Sequence, residues 1–460
     1  MAYARGLRKG RCLAWLAVAA SLCVLAGRAG GQPPPAPPTP TLPPLPPGVQ
    51  SQVPTEGPLT LREAIGLALR EQPQVALAAS AASAAAGRTR QAISAYLPSI
   101  SVSSQYTRTG PGPSGVGAVG GRFVVGGYTT SFTTQQLLYD FGKTPAQIAQ
   151  ARDQQESARQ AFAQTRQDVV NQVKQAYYTL LQNQRLVAVQ QQNVADQQAH
   201  LELAQARFKA GLAPRADVVR ADTAVADAVL NLASAQNTAA ISRVTLNLTM
   251  GVDVRSPTRP EETEEPLPTL PDPAALVAQA LTDRPDVQQA RADVEAAQQA
   301  LHQARVGNLP SLVTNANYGL RGTSFPPTQN SWAVGLGLQW AFLDWGLTAG
   351  RVQEAEGNLH SARARLRQAQ QTASSDVVQA YLNVQTADEK VTASKAGVAN
   401  AEEGLRVATG RYQAGVAAYI EVIDAETALL TARTNQVNAQ YGLSTARAAL
   451  TRALGIEEAH

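Results

Sequence analysis

The chain has 460 residues, of which 44% are apolar, enough for a large folded core. Only 5% are aromatic, and no proline follows Pro327, so the composition favours long helices over a compact mixed fold. The formal net charge of +4 includes no basic block, which argues against a nucleic acid partner.

The first 29 residues have the features of a secretory signal peptide. Basic residues precede the apolar run CLAWLAVAASLCVLAG, and small residues suited to cleavage follow near Ala26 or Ala29. An uncleaved inner-membrane anchor is the alternative, but the apolar run is short for a transmembrane helix. We therefore predict a signal peptide at 1–29.

Loss of this segment changes both the charge and the cysteine content. It carries five of the 39 basic residues and none of the 35 acidic ones, so the mature chain has 34 basic and 35 acidic residues, a net charge of −1. The only two cysteines, Cys12 and Cys23, also lie in the signal. We expect no disulfide, no cysteine nucleophile and no thiolate metal site in the mature protein.

Proline dominates the next segment, with ten prolines among residues 33–47. Such a composition adopts extended or disordered conformations and cannot pack a core. We interpret 30–58 as a Pro-rich linker, with a proline-rich ligand for a partner domain as the alternative.

Two similar halves follow the linker. LTLREAIGLALREQP begins with a capping box formed by Thr60 and Glu63, and its counterpart PDPAALVAQALTDRPDV begins with Asp272 and Pro273. Matching motifs recur at an offset of 212 residues up to the two Leu-Pro-Ser sequences, and at 204 residues after them. We predict two tandem repeats, 59–251 and 272–456, joined by a linker at 252–271.

Each repeat has the same predicted order of elements. A helix ends at Leu-Pro-Ser, and two strands follow, over 98–139 in the first repeat and 309–343 in the second. A very long helix, a tip turn at 210–215 or 414–418, and a final helix complete the repeat. The Ala/Gln-rich helices suit close packing in a helical tube, although a solitary coiled coil would have the same composition.

The strands favour a membrane protein over a coiled coil. SWAVGLGLQWAF alternates large apolar and small residues with a period of two, which is typical of a membrane-spanning strand. SISVSSQYT and RFVVGGYTTSFTTQQLLYDF are more ambiguous, and a soluble meander packed on helices is the alternative. Four strands cannot close a barrel, whereas three copies of the chain would provide twelve.

Paired motifs identify a family resemblance. The two Leu-Pro-Ser junctions, the strand ends LLYDFG and AFLDWG, and the tips RFKAGLAP and RYQAGVAA resemble the outer membrane efflux protein (TolC) family across 59–456. The resemblance implies a homotrimer with one twelve-stranded β-barrel in the outer membrane, four strands per chain, and a long periplasmic α-helical barrel. It also implies an exit duct for an inner-membrane efflux transporter, joined to it by a periplasmic adaptor.

The same resemblance assigns functional residues. It places adaptor docking at the two tips, through Arg207, Gly211, Leu212, Arg411, Gly415 and Val416. It places the barrel–helix junctions at Pro98, Asp140, Gly142, Pro310, Asp344 and Gly346. From sequence alone the two arginines would only compensate the carbonyl ends of their own helices, and the glycines would only allow a left-handed turn.

The periplasmic constriction is assigned by resemblance to Tyr412, Glu421 and Asp424. Spacing alone would make the two acids an ordinary solvated helix face, since they lie three residues apart. The first repeat keeps Asp217 but has Arg220 in place of the second acid, so we place the constriction in the second repeat. The family's arginine two residues after the tip glycine is Ala417 here, so we expect the hydrogen bonds that hold the resting, closed state to be weaker or differently built.

We expect no enzyme, cofactor or metal site. The four histidines, His200, His302, His360 and His460, are scattered without metal-ligand spacing, and no nucleophile elbow or phosphate loop occurs. A periplasmic coiled-coil adaptor or scaffold is the alternative function, although it would not need duplicated strands.

Overall fold

The computed structural model describes residues 58–109, 125–262 and 271–456. The predicted signal peptide and, except for Pro58, the Pro-rich linker lie outside the described residues. The described helices and strands, in chain order, are α1 Leu61–Glu71, α2 Pro73–Ser94, β1 Ser99–Thr109, β2 Val125–Tyr139, α3 Lys143–Lys209, α4 Arg215–Met250, α5 Pro273–Asp283, α6 Pro285–Arg305, β3 Ser311–Gly322, β4 Gln329–Gln339, α7 Leu347–Gln413 and α8 Tyr419–Ala453. The predicted mainly helical fold with four strands is confirmed.

Local sequence explains where the short helices begin. The Thr60 side chain accepts a hydrogen bond from the Glu63 amide, and the Glu63 carboxylate accepts one from the Thr60 amide, so α1 starts with a complete capping box. Asp272 caps α5, and Pro273 and Pro285 occupy the first positions of α5 and α6. A proline is tolerated there because its missing N–H would have no partner within the helix.

Two helices of 67 residues, α3 and α7, are the longest elements. At about 1.5 Å per residue each extends roughly 100 Å. Leu347 at the start of α7 follows Lys143 at the start of α3 by 204 residues, and Gln413 follows Lys209 by the same number. A short turn then leads into α4 or α8, so each long helix and its successor pack as a hairpin.

The main core lies midway along α3. Val173 and Tyr177 are buried there against α1 and the end of α4, and Tyr177 contributes a polar contact as well. Its hydroxyl lies 2.8 Å from the carbonyl oxygen of Leu59 and 2.6 Å from that of Glu261. The segments before α1 and after α4 are thereby both fixed to the centre of the long helix.

The four strands form one antiparallel sheet in the order β1-β2-β3-β4. One row of directly opposed residues runs across it through Val102, Phe132, Tyr318 and Trp332. Because side chains alternate along each strand, this register gives the sheet one apolar face. That face presents the exposed side chains of Ile100, Val102, Tyr106, Phe132, Tyr318, Trp332, Val334, Leu336 and Leu338.

The opposite face of the sheet is mainly polar or small. A representative row consists of Ser103, Ser131, Gly319 and Ser331, and the neighbouring rows carry serine, threonine, asparagine and glutamine. The register therefore explains why β1 and β2 look ambiguous in the sequence. Their apolar residues are few, and although those of β1 lie on one side, β2 also places Leu137 on the other. Within the described chain, β1 and β4 each have one edge without a paired strand.

Among the helices of the described residues, none is long and apolar enough to cross a membrane.

Two glycines with the same left-handed backbone offer a matched test of packing. Gly251 has a φ of 75°, and a side-chain carbon there would lie 2.8 Å from the Glu71 carbonyl oxygen. Gly211 has a φ of 74°, with nothing within 4 Å. Gly251→Ala should lower the free energy of unfolding by about 2–4 kcal/mol, and Gly211→Ala by only about 1–2 kcal/mol.

Thermal unfolding of the two purified variants, followed by the helical circular dichroism signal, measures this difference. Equal losses of melting temperature would contradict the close packing of the α4 end against α1.

Candidate functional site

The two tip turns have the same backbone hydrogen bonds. At the first tip the Leu212 amide donates to the Arg207 carbonyl at 2.8 Å, and the Gly211 amide donates to the Phe208 carbonyl at 3.0 Å. The second tip repeats this pattern four residues after Arg411, with the left-handed residue at Gly415. Both turns are Schellman motifs, which need a residue that adopts positive φ without strain.

Each tip presents one large apolar side chain to solvent. Leu212 and Val416 directly follow the two turn glycines, and each is 69% exposed. Exposed apolar side chains at the end of a hairpin provide contact area for a partner.

Arg207 links the first tip to the second. Its Nη1 donates to the Gln413 carbonyl oxygen at 2.8 Å, and its guanidinium lies 4.7 Å from the centre of the Tyr412 ring. Arg207 thus compensates the carbonyl end of α7, and not only that of its own helix α3. Arg411, at the matching position, instead donates to the Glu421 carboxylate at 2.8 Å within its own hairpin.

Tyr412 is buried between the hairpins. Its hydroxyl donates to Asp217 Oδ2 at 3.4 Å, a long hydrogen bond, and its ring centre lies 5.3 Å from that of Tyr419. Burial, and then the negative charge of Asp217, raise the pKa of Tyr412. Burial raises the pKa of Tyr419 to about 12. Both phenols therefore keep their protons at neutral pH, and the Tyr412 hydroxyl can serve as a donor.

The two predicted constriction acids have different surroundings. Glu421 forms the ion pair with Arg411, and both side chains are partly exposed. Asp424 is exposed and lies at one end of a groove between α7 and α8, lined by small and polar residues and by Lys390. At the tips, the two hairpins are joined by Tyr412 with Asp217 and by Arg207 with Gln413.

Asp217 is a contact residue that the constriction assignment leaves out. Its presence at the position matching Glu421 is a sequence signal, yet the bond to Tyr412 joins residues 195 positions apart. His200 and Glu426, which form a second buried contact between α3 and α8, are also missing from the assignment. No spacing rule for a single helix identifies contacts between helices so distant in sequence.

The predicted barrel–helix junctions lie where the strands lead into α3 and α7. Asp140 Oδ2 accepts a hydrogen bond from the Thr144 amide at 2.7 Å, and Asp344 Oδ2 accepts one from the Thr348 amide at 2.9 Å. An anion at a helix N-terminus is favourable because the first amides lack intrahelical partners.

The backbone at these junctions is unusual. Phe141 and Trp345, which precede Gly142 and Gly346, have positive φ values of 56° and 51°. Pro98 and Pro310 lie directly before β1 and β3. The Asp-aromatic-Gly sequence therefore lies between the preceding strand and each long helix, and it starts that helix.

Two of the histidines that look scattered in the sequence share one groove. His302 on α6 and His360 on α7 line it together with Arg305 and Glu356, which are ion-paired at 3.1 Å. Within 58–109, 125–262 and 271–456, no group of three or more histidine, cysteine or acidic residues is placed to hold a metal ion.

Comparisons with known proteins give a consistent result. The family described as outer membrane efflux protein matches residues 64–252 and 276–456. Protein CyaE of Bordetella pertussis is 28% identical over 420 residues, which cover 86% of this chain and 84% of that protein. The probable efflux pump outer membrane protein TtgC of Pseudomonas putida is 25% identical over 324 residues, covering 68% and 66%.

Solved structures share the fold. The outer membrane protein VceC of Vibrio cholerae superposes with a TM-score of 0.76 at 22% identity, covering 86% of this chain and 96% of that one. The open state of the MtrE outer membrane channel of Neisseria gonorrhoeae gives a TM-score of 0.72 at 18% identity, covering 86% and 88%.

The Arg207 contact generates a prediction about the opposite hairpin. Arg207→Gln removes the contacts to the Gln413 carbonyl and the Tyr412 ring, so the end of α7 should open more often. We expect amide hydrogen exchange over 410–416 to accelerate by roughly tenfold, the equivalent of about 1.4 kcal/mol.

Arg411→Gln is the matched control, because it removes the same charge from a contact within one hairpin. Exchange over 206–212, measured by mass spectrometry, should be unchanged in this control. Unchanged exchange over 410–416 in Arg207→Gln would show that the arginine does not join the tips.

Proposed function

The chain belongs to the outer membrane efflux protein family, and we propose on this premise that it is the exit duct of a tripartite efflux or type I secretion system. It would pass substrates from an inner-membrane transporter across the periplasm and the outer membrane without a chemical step. The two halves, 59–251 and 272–456, would be the two repeats of each subunit, and the alternation between them would give the duct its pseudo-sixfold symmetry.

The observation that carries this proposal is the four-stranded sheet with one apolar face and two open edges. Such a sheet cannot face lipid alone, because the unpaired N–H and C=O groups of β1 and β4 would each cost several kcal/mol. Pairing β4 of one copy with β1 of the next satisfies both edges. Three copies then give a closed barrel of twelve strands in the outer membrane, with the apolar face toward lipid.

The helices support closure by copies of the same chain. In the tip half of the molecule α4 packs on α3, α3 on α8, and α8 on α7, which leaves α4 and α7 as the outer helices. The outer helix α4 exposes Val219, Leu230 and Ile241 at intervals of 11 residues, three helical turns, and α7 exposes Leu382 and Val407. In a homotrimer, α4 of one copy would cover α7 of the next.

The tips supply the proposed docking surface for a periplasmic adaptor. Three copies would present six hairpin ends, each with one exposed apolar side chain beside a turn glycine. The proposed docking residues are Arg207, Gly211, Leu212, Arg411, Gly415 and Val416. Arg207 would act partly by fixing the second tip relative to the first, as its contact to Gln413 indicates.

A photoreactive amino acid at Leu212 or Val416 should cross-link to a periplasmic adaptor in whole cells. Leu77 on α2 is similarly exposed, at 71%, and serves as the control position that should give no such product. Equal adaptor cross-linking from all three positions, or no cross-linking from the tips, would show that the tips are not the docking surface.

The proposed periplasmic constriction comprises Tyr412, Glu421 and Asp424, to which we add Asp217 as the hydrogen-bond partner of Tyr412. In a trimer the three copies of each acid surround one axis. Negative charge at a narrow opening attracts cations and repels anions. Because Arg411 already neutralises Glu421 within each hairpin, Asp424 would contribute more of the unpaired charge.

Planar-bilayer recordings test the proposed constriction, which would act as the gate of the channel, together with the duct function. The wild-type channel should select cations near neutral pH and lose that preference as the solution is acidified. Asp424→Ala and Glu421→Ala should each reduce cation selectivity, because each removes one negative charge per copy and the second also leaves the Arg411 guanidinium without its partner. The double variant should reduce it most and weaken block by multivalent cations.

The double variant Asp388→Ala with Glu389→Ala removes the same charge from α7, more than twenty residues before the tip. It should keep the selectivity and cation block of the wild type. Identical recordings from the two double variants would show that Glu421 and Asp424 belong to an ordinary solvated helix face and do not set the selectivity.

A further inference from the structure

A buried acid–histidine pair connects the two hairpins of one chain above the tip. His200 on α3 and Glu426 on α8 approach to 2.6 Å between Nε2 and Oε1. Their side chains are only 14% and 5% exposed, respectively. Moving a carboxylate out of water is costly unless a partner compensates its charge and donates hydrogen bonds to it.

The pair lies at a second level of the contact between the hairpins. His200 precedes Arg207 by seven residues and Glu426 follows Tyr419 by seven, so the pair is two helical turns, about 10 Å, from the tip cluster. At the tip itself the hairpins are joined by Tyr412 with Asp217 and by Arg207 with Gln413. The contact between the two hairpins is therefore polar both at the tip and two helical turns above it.

The neighbouring charged side chains have other partners, so His200 is the partner of Glu426. Asp196 on α3 and Arg433 on α8 line the small cavity beside Glu426, but Arg433 is paired with Asp196 at 3.7 Å and with Glu402 of α7 at 3.4 Å. Toward the tip, the ionisable side chains next to the pair are Asp217 of α4, Tyr412 of α7 and Tyr419 of α8. Of these groups, only Arg433 is a cation, and its two acids already occupy it.

The matching positions of the two repeats do not carry a second pair of this kind. At the offset of 204 residues, Gly404 corresponds to His200 and Asp222 corresponds to Glu426. Tyr412 and Asp217 correspond in the same way to Phe208 and Glu421, and phenylalanine has no hydroxyl to donate. At the offset of 204 residues, neither polar contact within the chain therefore has a matching pair of hydrogen-bonding side chains.

We propose that His200 and Glu426 are positioning residues that hold α3 against α8 and keep the gate closed. This inference rests on the proposed duct function. Neither residue touches substrate. They act by joining the two hairpins, so that opening must separate the buried carboxylate from its partner.

The test is a double-mutant cycle on the resting current of the full-length channel in planar bilayers with potassium chloride. His200→Ala leaves the Glu426 carboxylate buried without its partner, so the open probability should rise by roughly tenfold or more. The double variant His200→Ala with Glu426→Ala leaves no unpaired charge, so its open probability should lie below that of His200→Ala. It should stay above the wild type because the contact itself is still lost. His200→Gln keeps a hydrogen-bond donor and should lie between His200→Ala and the wild type.

Two controls separate the pair from general effects of substitution. His360→Ala removes a histidine from the groove between α6 and α7, and Asp222→Ala removes the acid that matches Glu426 in the first repeat; both should keep the wild-type open probability. Additive effects in the cycle, an unchanged current in His200→Ala, or equal currents in His200→Ala and His200→Gln would each overturn the proposal. If the wild-type protein gave no channel current in the bilayer, that result would instead refute the duct function itself.

Discussion

The unpaired edges of the four-stranded sheet are the constraint on which the rest of the structure depends. A strand edge in hydrocarbon leaves amide and carbonyl groups without partners, and no side chain of the sheet can repair this. Since the sheet presents its apolar residues on one face, that face and both edges are satisfied together only by further strands. Copies of the chain provide such strands, and their symmetry fixes where the helices and the tips must lie.

The duplicated sequence produces two similar helical hairpins, and the sequence differences between the repeats make their side-chain contacts unequal. Both hairpins end in the same Schellman turn, at Gly211 and Gly415. The side chains around the turns differ, because Tyr412 faces Asp217 while the corresponding residues are Phe208 and Glu421. Within the described chain the two hairpins meet through hydrogen bonds, and the side chains at the matching positions cannot repeat them, so in the proposed trimer the contact between chains would differ from the contact within a chain.

Much of the fold could be predicted from local pattern. SWAVGLGLQWAF predicts β4 because large and small residues alternate without interruption, whereas serine and threonine on both faces obscure β1 and β2 until the register is known. Gly211 and Gly415 predict the tips because a reversal between long helices needs a left-handed residue. The contacts of Arg207 with Gln413 and of His200 with Glu426 could not be predicted, since they join helices more than 200 residues apart. The ion pair of Arg411 with Glu421 crosses a turn, and it changes the charge expected of the acid pair.

The number of chains in the detergent-solubilised particle tests the central claim most directly. Closure of the sheet by copies requires three chains for twelve strands, so light scattering corrected for bound detergent should give the mass of a trimer at all protein concentrations above the detection limit. A stable, folded monomer with an intact sheet signal would contradict the account, because the edges of β1 and β4 would then be satisfied without a second copy.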